Sequence, residues 1–442
     1  MELENGKEKV RVWFVPLLSV LALLLGAAHF WRMGHTGEAA VCLAWIPACF
    51  LRRAWMRPVS FLLFALLAAE WLLTTKMLAG MRLAAGMPWV RLVVILLSVA
   101  AVSGAAALSL LTRAGKAWFC RGSGDDAAQA AAFLLAATPL LCMARFAPQI
   151  MLVHRIAPGF GALQALAAGF WSAWVCAHLM NRARAGRVRM FVWRLFSAVF
   201  FVQFTLALAG WSLFAVSGEM HIPVPGVIVA GALYRGTPGF MPMLFLICVL
   251  LAGAAWCSHL CYFGSWDAWA ASASRPSPHP GALRFRALSL GLVAAVTLIL
   301  LYFAPLSAAV AGGAALGLVM LPVSVFVSRR KGYAAYCTMI CPLGLLACLA
   351  GRFSPWRIRR TSSCTGCGAC VRVCRYGALT RERLEAGTPG LSCTLCRDCL
   401  NVCAHRGLAV SWLGMGGNGG AERAFVALVS ALHALFLFSA MA

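Results

Sequence analysis

Trp89-Val-Arg-Leu-Val-Val-Ile-Leu-Leu-Ser-Val-Ala-Ala-Val-Ser-Gly-Ala-Ala-Ala-Leu-Ser-Leu-Leu111 is the stretch that decides the fold class. A single charge stands near its start, and the run exceeds the roughly 20 residues a helix needs to cross the hydrocarbon core of a bilayer. Similar runs bounded by charge lie on either side, approximately Trp13 to Phe30, Ala39 to Leu51, Pro58 to Thr75, Ala127 to Ala144, Gly159 to Met180, Phe191 to Val216, Phe240 to Trp256, Ala287 to Ala304, Ser307 to Val327 and Phe425 to Ala442. The Ala39 run is short and reads either as a crossing or as a re-entrant segment. The first run is longer than a secretory h-region and more spans follow it, so cleavage after Ala28 is only the alternative reading. Of 442 residues 62% are hydrophobic and 12% charged, which excludes a water-soluble globule. The chain is predicted to be an all-α polytopic membrane protein of about 11 helices.

The formal charge is +25, and its placement gives an orientation. Lys and Arg gather in alternate loops: at Lys7 to Arg11, Arg52 to Arg57, Arg113 to Arg121, Arg182 to Arg194, Arg275 to Arg286, Arg329 to Lys331, and again from Arg352 to Arg423. Basic loops stay in the cytoplasm. The N-terminus and the stretch after Arg352 are therefore expected in the cytoplasm of a bacterium, the spans in its inner membrane and the C-terminus in the periplasm. Few of the basic residues are lysines and none forms a tail, so no nucleic-acid partner is expected; the lipid bilayer is.

Two cysteine runs dominate the stretch after Arg352: Cys364-Thr-Gly-Cys367-Gly-Ala-Cys370-Val-Arg-Val-Cys374 and Cys393-Thr-Leu-Cys396-Arg-Asp-Cys399-Leu-Asn-Val-Cys403. Each is C-x2-C-x2-C-x3-C, the spacing of bacterial two-cluster ferredoxins, in which the fourth cysteine of a run ligates the other cluster. One [4Fe–4S] cluster is thus assigned to Cys364, Cys367, Cys370 and Cys403, and a second to Cys393, Cys396, Cys399 and Cys374. Zinc would use two pairs of ligands and leave the third cysteine of each run idle. So short a segment cannot bury an adequate apolar core, and the clusters are expected to hold an α+β fold together. Arg372, Arg375, Arg397 and Arg406 interleave with the ligands. They either raise the cluster potentials or form a solvated face.

Cys257-Ser-His-Leu-Cys261-Tyr262 and Cys337-Thr-Met-Ile-Cys341-Pro342 form a second repeat, each C-x3-C at the cytoplasmic end of a span and each followed by a similar tail. Residues i and i+4 share a helix face, so Cys257, Cys261, Cys337 and Cys341 offer four thiolates to one metal or additional Fe–S centre. A dithiol switch and plain helix packing are the other readings.

Two C-x3-C motifs followed by a two-cluster segment resemble the NapH/NosR family of membrane polyferredoxins and, more distantly, the oxidase-assembly protein CcoG. The likeness covers roughly Phe191 to Trp412. It implies electron transfer between quinol or cytoplasmic donors and redox partner proteins at or across the membrane, by a subunit of a redox complex more than by a stand-alone enzyme. Tyr262 stands where the family has proline after the first C-x3-C, and Arg375 and Ala404 replace prolines that often follow the ferredoxin runs. No flavin domain is visible. A metal-handling or assembly factor that reduces and delivers copper or iron, and a redox-sensing regulator, are the alternative functions.

The organisation expected is a membrane module at 1–186, a NapH/NosR-like membrane domain at 187–351, the cytoplasmic cluster segment at 352–412 and a last span at 413–442. Cys42, Cys49, Cys120, Cys142, Cys176, Cys248 and Cys348 read as packing residues. His29 with His35 or His154 would be the geometry for b-type haem, which is not favoured; His29 and His178 lie near opposite faces. His259 would bond a thiolate or face headgroups. Glu70 is an intramembrane acid, functional or snorkelling. Gln203, Glu219 and His221 are candidates to serve a quinol. Gly312, Gly313 and Gly317 allow close helix approach. No nucleophile with a base and no phosphate loop is apparent, so no catalytic residue is assigned.

Overall fold

In a computed structural model the described residues are 2–214, 224–277, 279–415 and 419–439, with side chains described from Val12 onward. Ten helices among them are long and apolar enough to cross a membrane: Val12–Arg32, Met56–Ala84, Val90–Leu111, Asp126–Phe146, Gly161–Met180, Arg182–Leu208, Phe240–Leu260, Ala282–Phe303, Leu306–Lys331 and Gly420–Phe438. Each coincides with an expected run. The exception among the expected spans is the second, a helix of 14 residues, Thr36–Cys49, which at 1.5 Å per residue reaches only about 21 Å. The chain divides into two compact units, Met1–Trp174 and Val175–Ala442. The division falls earlier than residue 186, inside the helix Gly161–Met180.

In the first unit the short second helix nevertheless returns to the end where the first span began. The Trp118 indole donates to the carbonyl of Cys49, the last residue of that helix, at 2.9 Å, and packs tilted against Trp13 with ring centroids 4.9 Å apart. Arg52 donates to the Trp118 carbonyl and lies over its ring. Trp13, Cys49 and Trp118 thus meet at one end of the bundle, which keeps the basic clusters at Arg52 and Arg121 together. The core behind them is a knot of Trp45, Trp55, Phe133 and Phe170, with ring centroids 5.3 to 5.8 Å apart. His29 lies against Trp71 and within 3.4 Å of Glu70 and 3.5 Å of Thr74. Glu70 therefore has an internal partner, and His154 Nδ1 accepts the Gly159 N–H at 3.1 Å.

In the second unit an 11-residue helix, Pro225–Arg235, lies where the sequence suggested only a loop. Gly226 meets the backbone of Gly313 so closely that a Cβ on it would stand 2.6 Å from the Gly313 carbonyl. Gly313 and Gly317 of the span Leu306–Lys331 act in packing, as expected, whereas Gly312 faces open space. Glu219 and His221 lie outside the described residues, and Gln203 is partly exposed on the helix Arg182–Leu208.

The segment after Arg352 opens with β1, Trp356–Arg360, and closes with β2, Leu408–Trp412, paired antiparallel with Trp356 opposite Trp412. Everything between is short turns of helix. Trp356 anchors the hairpin by donating to the Leu251 carbonyl at 2.7 Å and packing 5.3 Å from Phe425.

Candidate iron–sulfur and thiolate site

The two cysteine runs fold as copies of one another. In each, a turn of helix starts between the second and third cysteines, Ala369–Arg372 and Asp398–Asn401. Left-handed residues occupy matching places: Gly366, Gly368 and Gly377 in the first run; Leu395, Arg397 and Arg406 in the second. For a residue with a Cβ that conformation costs about 1–2 kcal/mol. The second run carries this strain at three positions where the first has glycine.

The turns bring Cys370 within electrostatic reach of Cys364 and Cys403, and Cys374 within that of Cys393, Cys396 and Cys399. Their surroundings differ. Cys367 is exposed, and the N–H of Ala369 holds its thiol below the ordinary range. Burial pushes the Cys393 thiol up to about 12 and raises Cys396 and Cys399 well above the usual thiol range. The first group includes the exposed Cys367, whereas in the second Cys399 is buried and Cys374, Cys393 and Cys396 are partly buried.

The C-x3-C motifs are equally repetitive. Each first cysteine sits in one wide helical turn, Trp256–Leu260 or Tyr336–Ile340, and each second cysteine caps the next helix, Tyr262–Ala271 or Pro342–Ala350. Cys341 Sγ accepts from the Gly344 N–H at 3.3 Å, and Cys261 is held by Gly264 in the matching way. Proline after the second cysteine is thus dispensable: Tyr262 starts its helix as Pro342 does. Neighbouring long helices grip the turns through backbone carbonyls. Trp193 donates to the Cys261 carbonyl and Ser197 to that of Tyr262, while Arg286 donates to the Cys337 carbonyl.

Asp267 is fully buried, and one oxygen accepts from Ser324 at 2.9 Å and Ser328 at 2.6 Å while the other accepts the Cys337 N–H at 2.9 Å. Burial raises its carboxyl and these donors oppose that rise. It is the joint between the two motifs. Asp267→Ala would strand the three donors, at about 1–3 kcal/mol for each unpartnered buried group, and is expected to loosen the second turn; Asp267→Asn, which keeps one oxygen acceptor, loses less. Maleimide labelling of Cys337 checks this. Equal labelling rates in Asp267→Ala and the wild type would show that the carboxylate holds nothing.

Cysteines 257, 261, 337 and 341 lie within electrostatic reach of one another. Cys348, which the sequence suggested was a packing residue, lies within electrostatic reach of both Cys257 and Cys393, with Arg286 Nη1 3.4 Å from its sulfur. A cleft of about 250 Å³ is lined by both Cys348 and Cys393. Its spacing from the C-x3-C motifs is irregular, so no sequence signal marked it.

The second ferredoxin run is docked directly on the first C-x3-C turn. Ser258 donates to the Thr394 carbonyl at 2.7 Å. His259, expected to bond a thiolate or face headgroups, is buried against Ser258 at 2.9 Å. Arg189 bridges the Ser258 carbonyl at 3.1 Å and the Asp398 carboxylate at 2.7 Å. The four arginines that interleave with the ligands now separate into two kinds. Arg397 is buried, donates to the Leu179 carbonyl and pairs with Glu422, which also pairs with Arg182 at 3.1 Å. Arg375 donates to the carbonyls of Ala271, Ser274 and Gly332, closing two helix ends, and that role explains an arginine where related runs have proline. Arg372 and Arg406 stay exposed.

Among the described residues no three Cys, His, Asp or Glu side chains stand close enough to share one metal ion. A zinc thiolate site would bring its sulfurs to about 3.8 Å, from a Zn–S bond of about 2.3 Å in a tetrahedron. A cubane spreads its thiolates wider because each binds a different iron. Buried donors lacking any acceptor gather at these cysteines: the hydroxyls of Tyr336, Thr394 and Tyr376. Donors aimed at cluster and thiolate sulfurs are what such centres use to set their potentials, so the residues present fit an iron–sulfur group.

The family model for a 4Fe-4S binding domain matches residues 358–380. Methylamine utilization ferredoxin-type protein MauN of Paracoccus denitrificans is 41% identical over 68 residues, 14% of this chain and 23% of that protein. The match thus spans less than a quarter of that relative. No solved structure matches.

Proposed function

We propose that this chain is a multi-pass inner-membrane electron-transfer protein, with two [4Fe–4S] clusters on Cys364, Cys367, Cys370, Cys403 and on Cys374, Cys393, Cys396, Cys399, and a further metal or iron–sulfur centre on Cys257, Cys261, Cys337 and Cys341. One observation carries the reading: Cys348 lies within electrostatic reach of both Cys257 and Cys393, so the second ferredoxin group adjoins the thiols at the helix ends. Clusters of this type supply one-electron acceptance and release with little rearrangement. The chain's own residues hold these groups in place: Arg189, Ser258 and Arg397 dock the second ferredoxin run, and Asp267 ties the two C-x3-C turns. The ferredoxin-type description of the MauN relative agrees with this role. The orientation proposed puts the ferredoxin segment in the cytoplasm, after the distribution of arginines.

Beside the second C-x3-C turn lies a cavity of about 670 Å³, lined by Phe285, Val323, Met339 and Ile340 with His279 and Tyr333. Apolar walls with a few polar groups suit an amphipathic ring such as a quinol, and this cavity replaces Gln203 as the candidate seat for it.

Protein purified without oxygen is expected to carry about eight iron atoms from two cubanes, and more where the C-x3-C thiolates hold a centre too. In liposomes, dithionite-reduced protein should be reoxidised by a membrane quinone, and Cys257→Ser/Cys337→Ser should abolish that flow while sparing the cubane EPR signals. Unchanged flow would remove these thiolates from the path. Copper or iron bound in proportion to them, with no electron flow, would replace the relay by metal delivery.

A further inference from the structure

Within the ferredoxin segment, positive charge is not spread evenly. Arg375 and Arg397 are consumed in docking, whereas Arg372 and Arg406 are exposed and follow Cys370 and Cys403 closely in sequence. Arg372 Nη1 lies 3.4 Å from the Cys367 carbonyl. The backbone of Arg406 is tied to Thr361 through its carbonyl, and the next residue, Gly407, donates to Cys403 Sγ at 3.2 Å. Gly407 also lies so close to Cys364 that a Cβ there would stand 2.7 Å from its Cα. The end of β1 adds exposed Arg359 and Arg360, joined to the same corner because the Thr361 N–H donates to the Gly407 carbonyl. No acid occurs from 361 to 381 or from 399 to 421. The exposed acids of the segment, Glu382 and Glu385, share the helix Arg381–Glu385 with Arg381 and Arg383, and that helix ends against Arg360, whose N–H donates to the Gly387 carbonyl at 2.9 Å.

A lipid-orientation signal requires positive charge near helix ends, and it makes no demand that arginine lie beside the cysteine group that holds the exposed Cys367. We propose that this corner is the docking surface for a small acidic one-electron carrier protein, with Arg359, Arg360, Arg372 and Arg406 meeting its carboxylates. The inference rests on the relay reading and names the partner at its Cys367 end. One electron leaves the reduced carrier, which is oxidised by one unit, and enters the centre held by Cys364, Cys367, Cys370 and Cys403, which is reduced by one; no bond forms and no proton moves. Complementary charge of this kind raises association rates by about 10- to 1,000-fold at low salt and loses that advantage as salt rises.

The test is stopped-flow reduction of the intact detergent-solubilised protein by a reduced acidic [2Fe–2S] ferredoxin and, separately, by a reduced zwitterionic viologen. The wild-type rate with ferredoxin should fall steeply with ionic strength, and the rate with viologen should not. In Arg372→Glu/Arg406→Glu, the ratio of ferredoxin to viologen rates should drop at least about tenfold, and Arg372→Lys/Arg406→Lys should keep most of it. Arg359→Glu/Arg360→Glu, at a distance from the ligands, gives the same readout if the first pair disturbs cluster loading. A ratio insensitive to salt and to all these changes overturns the docking surface, as does a ratio that follows the anionic lipid content of nanodiscs instead. Failure of wild-type protein to accept electrons even from viologen would instead defeat the relay reading.

Discussion

Cys399→Ser is expected to empty the second iron–sulfur site, lowering iron from about eight atoms per chain to about four or fewer, and to unfold the second cysteine run with it. Cys399 is buried, 7% exposed, among Cys374, Cys393 and Cys396. Between β1 and β2 the described backbone makes only short turns, so ligation must supply what an apolar core supplies elsewhere. The grouping is crossed, with Cys374 of the first run in the second group and Cys403 of the second run in the first. Damage should therefore spread, and the first cluster's EPR signal is expected to broaden or weaken. Cys248→Ser, in the helix Phe240–Ala252, should leave iron untouched. Iron and sulfide analysis with limited trypsin digestion at Arg381 and Arg383 reads both effects. Full iron content in Cys399→Ser would contradict the proposed ligand set.

Glu422→Ala should cost about 3–5 kcal/mol, the usual penalty for removing one partner of a buried ion pair. Arg397 is 3% exposed, and its guanidinium bonds to Glu422 and the Leu179 carbonyl. Without the carboxylate a charge stays buried and unpaired, and Arg182 loses its partner as well. The ferredoxin segment is then expected to detach from the helix ends while its cysteines stay intact. Faster hydrogen exchange across 393–403 with unchanged iron content is the signature. The paired change Glu422→Ala/Arg397→Leu should recover part of the loss, because no charge remains stranded; no recovery would show that the pair contributes through shape alone.

Arg397 also illustrates where reading by motif stops. From the sequence it was one of four arginines interleaved with ligands, with a potential-raising role and a solvated face as equal readings. In the fold it takes a left-handed backbone at Gly368's counterpart position, and its side chain reaches a carboxylate 25 residues further along the chain. Arg375 shows the same limit, since the three carbonyls it closes lie 43 to 104 residues before it. Cys348 has no partner at motif spacing, so composition alone placed it among the packing cysteines. Thr36–Cys49 is a different case: its length left crossing and re-entry open, and the contact of Trp118 with both Trp13 and Cys49 places its end beside the start of the first helix.

Apolar run length and cysteine spacing are local properties, and the sequence by itself therefore determined ten of the long helices, the two ferredoxin runs and the pair of C-x3-C motifs. Only the tertiary structure decided which arginines clamp and which face solvent, that Asp267 joins the two motifs, and that the second ferredoxin run abuts the first of them. Those facts depend on pairs such as Arg189 and Asp398, 209 residues apart. A buried charge is tolerated only beside its counter-charge, and which counter-charge arrives is settled when the chain has packed.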